Sequence, residues 1–178
     1  LDDIVLGVAE DCDADDVPDD CQFSTNPELD WNGDGLHDDC TSIVFCNGSD
    51  NSTGETGSLA VVGSPVLGDQ DLTLRASQLP ASQWSFFILS ANEAQVPGFG
   101  GGQGVLCLGG TIGRFSGQIQ NSGLLGTFSI PVDLTSLPTT PVSAVAPGDT
   151  WNFQAWYRDA IGGVTTSNFT SALEIDFQ

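Results

Sequence analysis

From residue 42 onward the chain is a series of short runs rich in Val, Ile, Phe, Trp, Thr and Leu, separated by Gly, Pro, Asn and Ser. Runs of this length and composition, bounded by turn residues, read as β-strands. They predict strands over 42–46, 57–63, 70–77, 84–90, 104–108, 111–119, 124–132, 150–158 and 171–177. The clearest alternation is in WNFQAWYRD (151–159). Trp151, Phe153, Ala155 and Tyr157 share one face and Asn152, Gln154, Trp156 and Arg158 the other; one face is expected in the core and the other partly wet. Stretches with a helical period are missing. The expected fold class is all-β, an antiparallel β-sandwich of jelly-roll or immunoglobulin-like type.

The pattern ahead of residue 42 is different. IVLGV (4–8) is β-prone and places Ile4, Leu6 and Val8 on one face, so residues 1–10 are expected to form an N-terminal strand or arm. Residues 11–41 hold an internal repeat. DCDADDVPDDC (11–21) superimposes at an offset of nineteen on DWNGDGLHDDC (30–40). Three regions follow: the arm at 1–10, a tandem-loop module at 11–41 and a β domain at 42–178.

Charge sharpens that division. The net charge is −21, from 24 acids against Arg75, Arg114 and Arg158; 14 of the acids and none of the bases fall in residues 1–41. Nucleic acid is excluded as a partner because no basic footprint exists to release its counterions. Insertion into a membrane is not expected, since the apolar stretches fall far short of the roughly 20 residues a span needs. Five cysteines, no lysine and a first residue that is Leu rather than Met fit a processed, secreted protein in an oxidising setting. Asn47, Asn51 and Asn168 begin sequons compatible with surface glycosylation.

In the repeats, oxygen ligands recur at loop positions 1, 3, 5 and 9, with Val17 or Leu36 at position 7, where a backbone carbonyl serves as ligand. This is the spacing of the first part of an EF-hand loop, and such a set of hard oxygen donors suits Ca²⁺ rather than zinc or copper. The candidate ligands are Asp11, Asp13, Asp15, Val17, Asp19 and Asp20 in the first loop and Asp30, Asn32, Asp34, Leu36, Asp38 and Asp39 in the second. Two or more ions are expected, and their binding energy would also be folding energy. The loops resemble the calcium-binding repeats of the thrombospondin type 3 and dockerin families over residues 11–40. Asp16 stands where that pattern has Gly, and Gln22 and Thr41 stand where it has a bidentate carboxylate. A Cys12–Cys21 bridge is the simplest pairing within the first loop, although the three cysteines 12, 21 and 40 permit others.

The β domain resembles an uncharacterised domain of secreted proteins from planctomycetes and similar bacteria. The resemblance rests on FCNGSDNSTGETG, DLTLRASQLP, GQGVLCLGGTIGRFSGQIQNSGLLGTFS, PGDTWNFQAWYRD and TSNFTSALEIDF. It implies secretion, a β-sandwich and a Cys46–Cys107 disulfide, and it implies no chemistry.

The only histidine, His37, lies inside a repeat, so the β domain has no His for a nucleophilic triad or a His-rich zinc site. Asp133, Asp149, Asp159, Glu174 and Asp176 leave a carboxylate pair for glycoside hydrolysis formally open, but nothing singles out a pair, and no enzyme is expected. The Gly-rich PGFGGGQG (97–104) has no lysine after it and reads as a surface loop. Arg158 and Asp159 read as an ion pair at a strand end. The first functional expectation is a structural subunit of an extracellular fibre, sheath or filament that is stabilised by calcium and polymerises head to tail with itself. Its IVLGV segment either lies along its own sandwich or adds as a strand to a neighbour. The second is a carbohydrate-binding or adhesion module using Trp84, Trp151 or Trp156, with glycans as partners.

Overall fold

The computed structural model describes residues 42–178. The arm residues Ile4, Leu6 and Val8, the Cys12–Cys21 pairing and all twelve candidate calcium ligands lie outside the described residues. Within them the chain forms eleven strands: β1 (Ile43–Cys46), β2 (Ser58–Val62), β3 (Thr73–Ser77), β4 (Trp84–Ser90), β5 (Glu93–Pro97), β6 (Val105–Leu108), β7 (Gly113–Arg114), β8 (Gln120–Asn121), β9 (Phe128–Pro131), β10 (Thr150–Ile161) and β11 (Val164–Asp176). All pairings are antiparallel. The large sheet runs β1-β11-β10-β4-β7, with β8 also on β4; the small sheet is β2-β3-β9; β5 and β6 form a separate hairpin.

The two sheets enclose the main core. Phe87 and Leu89 of β4, Phe153, Ala155 and Tyr157 of β10, and Leu173 and Ile175 of β11 meet Leu59, Val61, Leu74, Ala76, Phe128 and Ile130 of the small sheet. The Phe87 and Phe128 rings stack across the gap with centroids 4.4 Å apart. One face of the 151–157 alternation is core, as expected, and it is the face of Trp151, Phe153, Ala155 and Tyr157. The outward face is drier than the pattern implies, because Asn152 and Gln154 are buried.

Burial of Gln154 comes from the β5–β6 hairpin, which lies on the outer face of the large sheet as a partial third layer. The Gln154 amide donates to the carbonyls of Val105 at 3.0 Å and Thr170 at 2.9 Å, and its oxygen accepts the Cys107 N–H at 3.0 Å. The Cys46–Cys107 disulfide adds a covalent tie between β1 and the hairpin. Beneath it Ala172 faces outward, opposite Cys46. Gly102 and Gly104 bring the hairpin loop against β11: a Cβ on Gly104 would sit 2.2 Å from Asn168 Oδ1. The loop at 97–104 thus lies at the surface, as expected, but its Gly102–Gly104 end is docked on β11.

Several boundaries differ from the sequence expectation, each for a local reason. β10 and β11 are much longer than predicted because Gly162 and Gly163, both with positive φ, join Ile161 to Val164 by a two-residue hairpin turn. A bulge shifts the register between Gln154 and Trp156. There the Thr170 and Ser171 hydroxyls accept the N–H groups of Ala155 at 2.9 Å and Leu59 at 3.0 Å. The strand predicted at 111–119 shrinks to β7, because Phe115 turns into the core and a 3-10 turn follows at Ser116–Gln118. Only 128–131 of the strand predicted at 124–132 forms. Ser122 accepts the Thr127 N–H at 2.9 Å, which closes a turn with Leu124 and Leu125 at its tip. The strand predicted at 70–77 begins at Thr73. β5 and β8 are not predicted at all. No helix among the described residues is long and apolar enough to cross a membrane.

Candidate functional site

Strand parity decides which aromatic side chains are available. On β4, Ser85, Phe87 and Leu89 point inward, which leaves Trp84, Phe86 and Ile88 on the outer face. Phe86 pairs in register with Trp156 of β10, which in turn pairs with Phe169 of β11. The Phe86 and Trp156 rings lie 4.9 Å apart at an interplanar angle of 32°.

The hairpin covers the lower part of this face and stops short of the rest. A groove of about 290 Å³ remains, lined by Phe86, Ile88, Trp156 and Phe169 from the sheet and by Phe99, Leu106, Ile112 and Arg114 around them. Trp84 continues the row beyond the groove and is 55% exposed. Arg114, opposite Ile88, shares the outer face, as does exposed Arg158 two positions beyond Trp156. Two of the chain's three cations therefore flank one aromatic groove in a protein of net charge −21.

Of the three tryptophans read from the sequence, Trp156 lines the groove and Trp84 flanks it. Trp151 packs against the main core, with a buried indole N–H that has no hydrogen-bond partner among the described residues. A second depression, of about 560 Å³, lies between the turn at 116–118 and the segment after β9. Its lining mixes Arg114, Gln118 and Asp133 with Val132 and Pro138, and its one aromatic residue, Phe115, is buried.

The carboxylates serve mainly as hydrogen-bond acceptors. Asp133 accepts both the N–H and the hydroxyl of Thr135, and these bonds hold its carboxyl below the usual range. Asp149 accepts the Ala146 N–H at 2.8 Å, and Asp176 accepts the Thr150 hydroxyl. Asp159 is buried and accepts Ser52 N–H at 3.0 Å and Ala160 N–H at 2.8 Å, while Arg158 faces the other way in the alternation. The expected Arg158–Asp159 pair is thus split across the sheet. Partial desolvation, then the neighbouring Asp176 and Glu93 carboxylates, push the Glu174 carboxyl above its ordinary range.

Two sequons are structural instead of being open glycan acceptors. Asn51 is buried, donates to Gln78 O at 2.7 Å and accepts from Thr53. Asn168 is buried and donates to Asp50 O at 3.0 Å. The loop at 47–57 is held in place by these bonds and by Asp159.

No family model, curated protein or solved structure matches the chain.

β1 begins where Ile43 pairs with Glu174, which also pairs with Asn152 near the start of β10. The hairpin turn of β10 and β11 lies nine residues further along β10, roughly 30 Å away at strand rise. Exposed apolar side chains occur at both ends: Ile43 and Val44 at the near one, and a separate set at the far one. Leu124 is 89% exposed and Leu125 86%, in a turn bonded to Ser82 and Gln83 immediately before Trp84, and Val164 sits at the hairpin tip.

Proposed function

We propose that the chain is a non-enzymatic extracellular structural protein, a calcium-stabilised subunit of a surface fibre, sheath or filament in which copies join head to tail. The observation that carries this reading is the polarity of the β domain. Residue 43 emerges at one end of the β10–β11 ladder, and Trp84, Leu124, Leu125 and Val164 are exposed towards the other. A contact between unlike ends does not close on itself and propagates as a filament. The acidic repeats precede residue 43 in the sequence, where a joint between successive β domains would fall. Calcium bound there would neutralise like charge and stiffen the joint. The Cys46–Cys107 disulfide suits an oxidising, extracellular location.

Replacing Leu124 and Leu125 together by Asp tests the head-to-tail contact. Both side chains are exposed, so the melting temperature should stay within about 2 °C of the parent, since surface changes rarely exceed about 0.5 kcal/mol. Sedimentation in calcium should lose the fast polymer fraction. Undiminished polymers would sink the proposal that this end is a subunit contact.

A carbohydrate-binding or adhesion module is the second reading, favoured by the open ring face of Trp84. Binding of an oligosaccharide that is lost in Trp84→Ala, by protein that stays monomeric in calcium, is the outcome that would favour it.

A further inference from the structure

We infer that the groove between Phe86, Trp156, Phe169 and Phe99 is the receptor for the apolar segment Ile4–Val8 of a neighbouring copy, which inserts the side chains of its apolar face. This rests on the head-to-tail reading and names the contact that joins one subunit to the next.

The groove's chemistry selects an aliphatic segment over a sugar. Seven of its eight lining residues are apolar, and Arg114 is the one polar side chain. A sugar brings hydroxyls that lose water on entering, each needs a partner, and this lining offers side-chain donors only from the Arg114 guanidinium and the Trp156 indole and no side-chain acceptor. Branched aliphatic side chains carry no such cost. A volume of about 290 Å³ is roughly twice the 150 Å³ cavity that accommodates a benzene-sized group, so it suits about two residues of the size of Ile4 and Leu6.

Charge points the same way. IVLGV is bracketed by Asp2 and Asp3 on one side and by Glu10 and Asp11 on the other. Arg114 lines the groove and Arg158 flanks it, so the acidic brackets of an inserted segment would meet the domain's exposed cations.

The alternatives are poorer receptors. β1 has a strand on one side only among the described residues, with Ile43 and Val44 exposed, but it is four residues long and its register shifts between Val44 and Cys46. Such an edge offers few ladder bonds. On the outer edge of β9 the carbonyls of Ser129 and Pro131 already accept the Gln120 and Gln118 side-chain amides, at 2.9 and 3.3 Å. Ile43 pairs with Glu174, which Asp176 and Glu93 crowd, so like charge already gathers where the chain's own acidic repeats join the domain. In a head-to-tail array the next copy's arm lies at the Trp84 end, where the row of outer-face aromatics begins.

The test uses the full chain in calcium with a photo-crosslinking benzoylphenylalanine at position 6, mixed one to one with isotope-labelled chain carrying no crosslinker. The expected result is crosslinks between light and heavy chains at Phe99, Leu106, Ile112 or Trp156. Phe99→Asp, in a partly exposed loop, should remove them and raise the critical concentration for assembly about tenfold or more. Polymers whose crosslinks fall at Ile43 or Val44, or only within one chain, overturn the groove inference and leave the filament reading standing. Crosslinks that avoid the groove while an oligosaccharide binds in a Trp156-dependent manner overturn it in favour of a glycan. Absence of polymers in calcium removes the filament reading itself.

Discussion

Gln154 is the residue on which the third layer turns, and replacing it by Leu isolates that role. The two side chains are close in size, so packing changes little and the loss is one of hydrogen bonds. Three bonds disappear: from Cys107 N–H to the side-chain oxygen, and from the side-chain amide to the Val105 and Thr170 carbonyls. The bonds to Cys107 and Thr170 are fully buried, so their backbone groups are left without partner or water. Each orphaned group costs about 1–3 kcal/mol, and a total near 3 kcal/mol is expected after the gain from burying a Leu. With a urea slope of about 2 kcal/mol per molar, the unfolding midpoint should fall by roughly 1.5 M. Amide exchange should show Cys107 losing protection well beyond residues in β2 and β3. A midpoint within about 0.3 M of the parent, with Cys107 still protected, would refute the claim that Gln154 clamps the hairpin to the sheet.

Other consequences follow from single contacts. Tyr157 is the chain's one tyrosine, so its ultraviolet titration reads a single group. Burial pushes its hydroxyl up to about 12, with Asn51 acting the other way and Asp159 adding to the rise. The unfolded chain ionises near pH 10, so stability should fall between about pH 10 and 12 and Tyr157→Phe should remove that component; a native titration midpoint near 10 would contradict this. Gly104→Ala should destabilise by about 2 kcal/mol, because its Cβ would meet Asn168 Oδ1 and Phe169 N, while Gly117→Ala, with open space around it, should be near neutral in chemical denaturation. Equal effects would show that the hairpin loop is not docked. Replacing Cys46 and Cys107 together by Ser opens a loop of 61 residues and should cost about 4 kcal/mol, read against the same parent under non-reducing denaturation. A loss below about 1 kcal/mol would mean that packing and Gln154 hold the hairpin without help.

Much of this fold is legible from residue pattern alone because its core faces are regular. Phe153, Ala155 and Tyr157 alternate cleanly and all point into the core, and β2 and β4 fall close to their predicted limits. The outer face is harder to read, since alternation says that Gln154 faces away from the core but not that another layer covers it. β5, with Glu93 at its start, Pro97 at its end and mostly exposed residues between, carries no apolar pattern of its own. It forms because β6, the disulfide and Gln154 hold it against the sheet. The groove inherits that difficulty, because Phe86, Trp156 and Phe169 become neighbours by cross-strand register and Phe99 and Leu106 close over them from the hairpin. One missed signal was present: Gly162-Gly163 between β-branched residues marks a tight hairpin, and it explains the length of β10 and β11. Alternation already separates Trp151 from Trp156 on opposite faces; what it does not give is that cross-strand register brings Phe86 and Phe169 beside Trp156 to make a groove.

The filament proposal depends on calcium and on the arm together, and electron microscopy of the purified full chain examines both. In millimolar calcium, long unbranched polymers are expected; they should shorten or vanish in excess chelator, return when calcium is restored, and fail to form when residues 1–9 are deleted. Particles that stay monomeric in calcium, or polymers indifferent to both the chelator and the deletion, would contradict it.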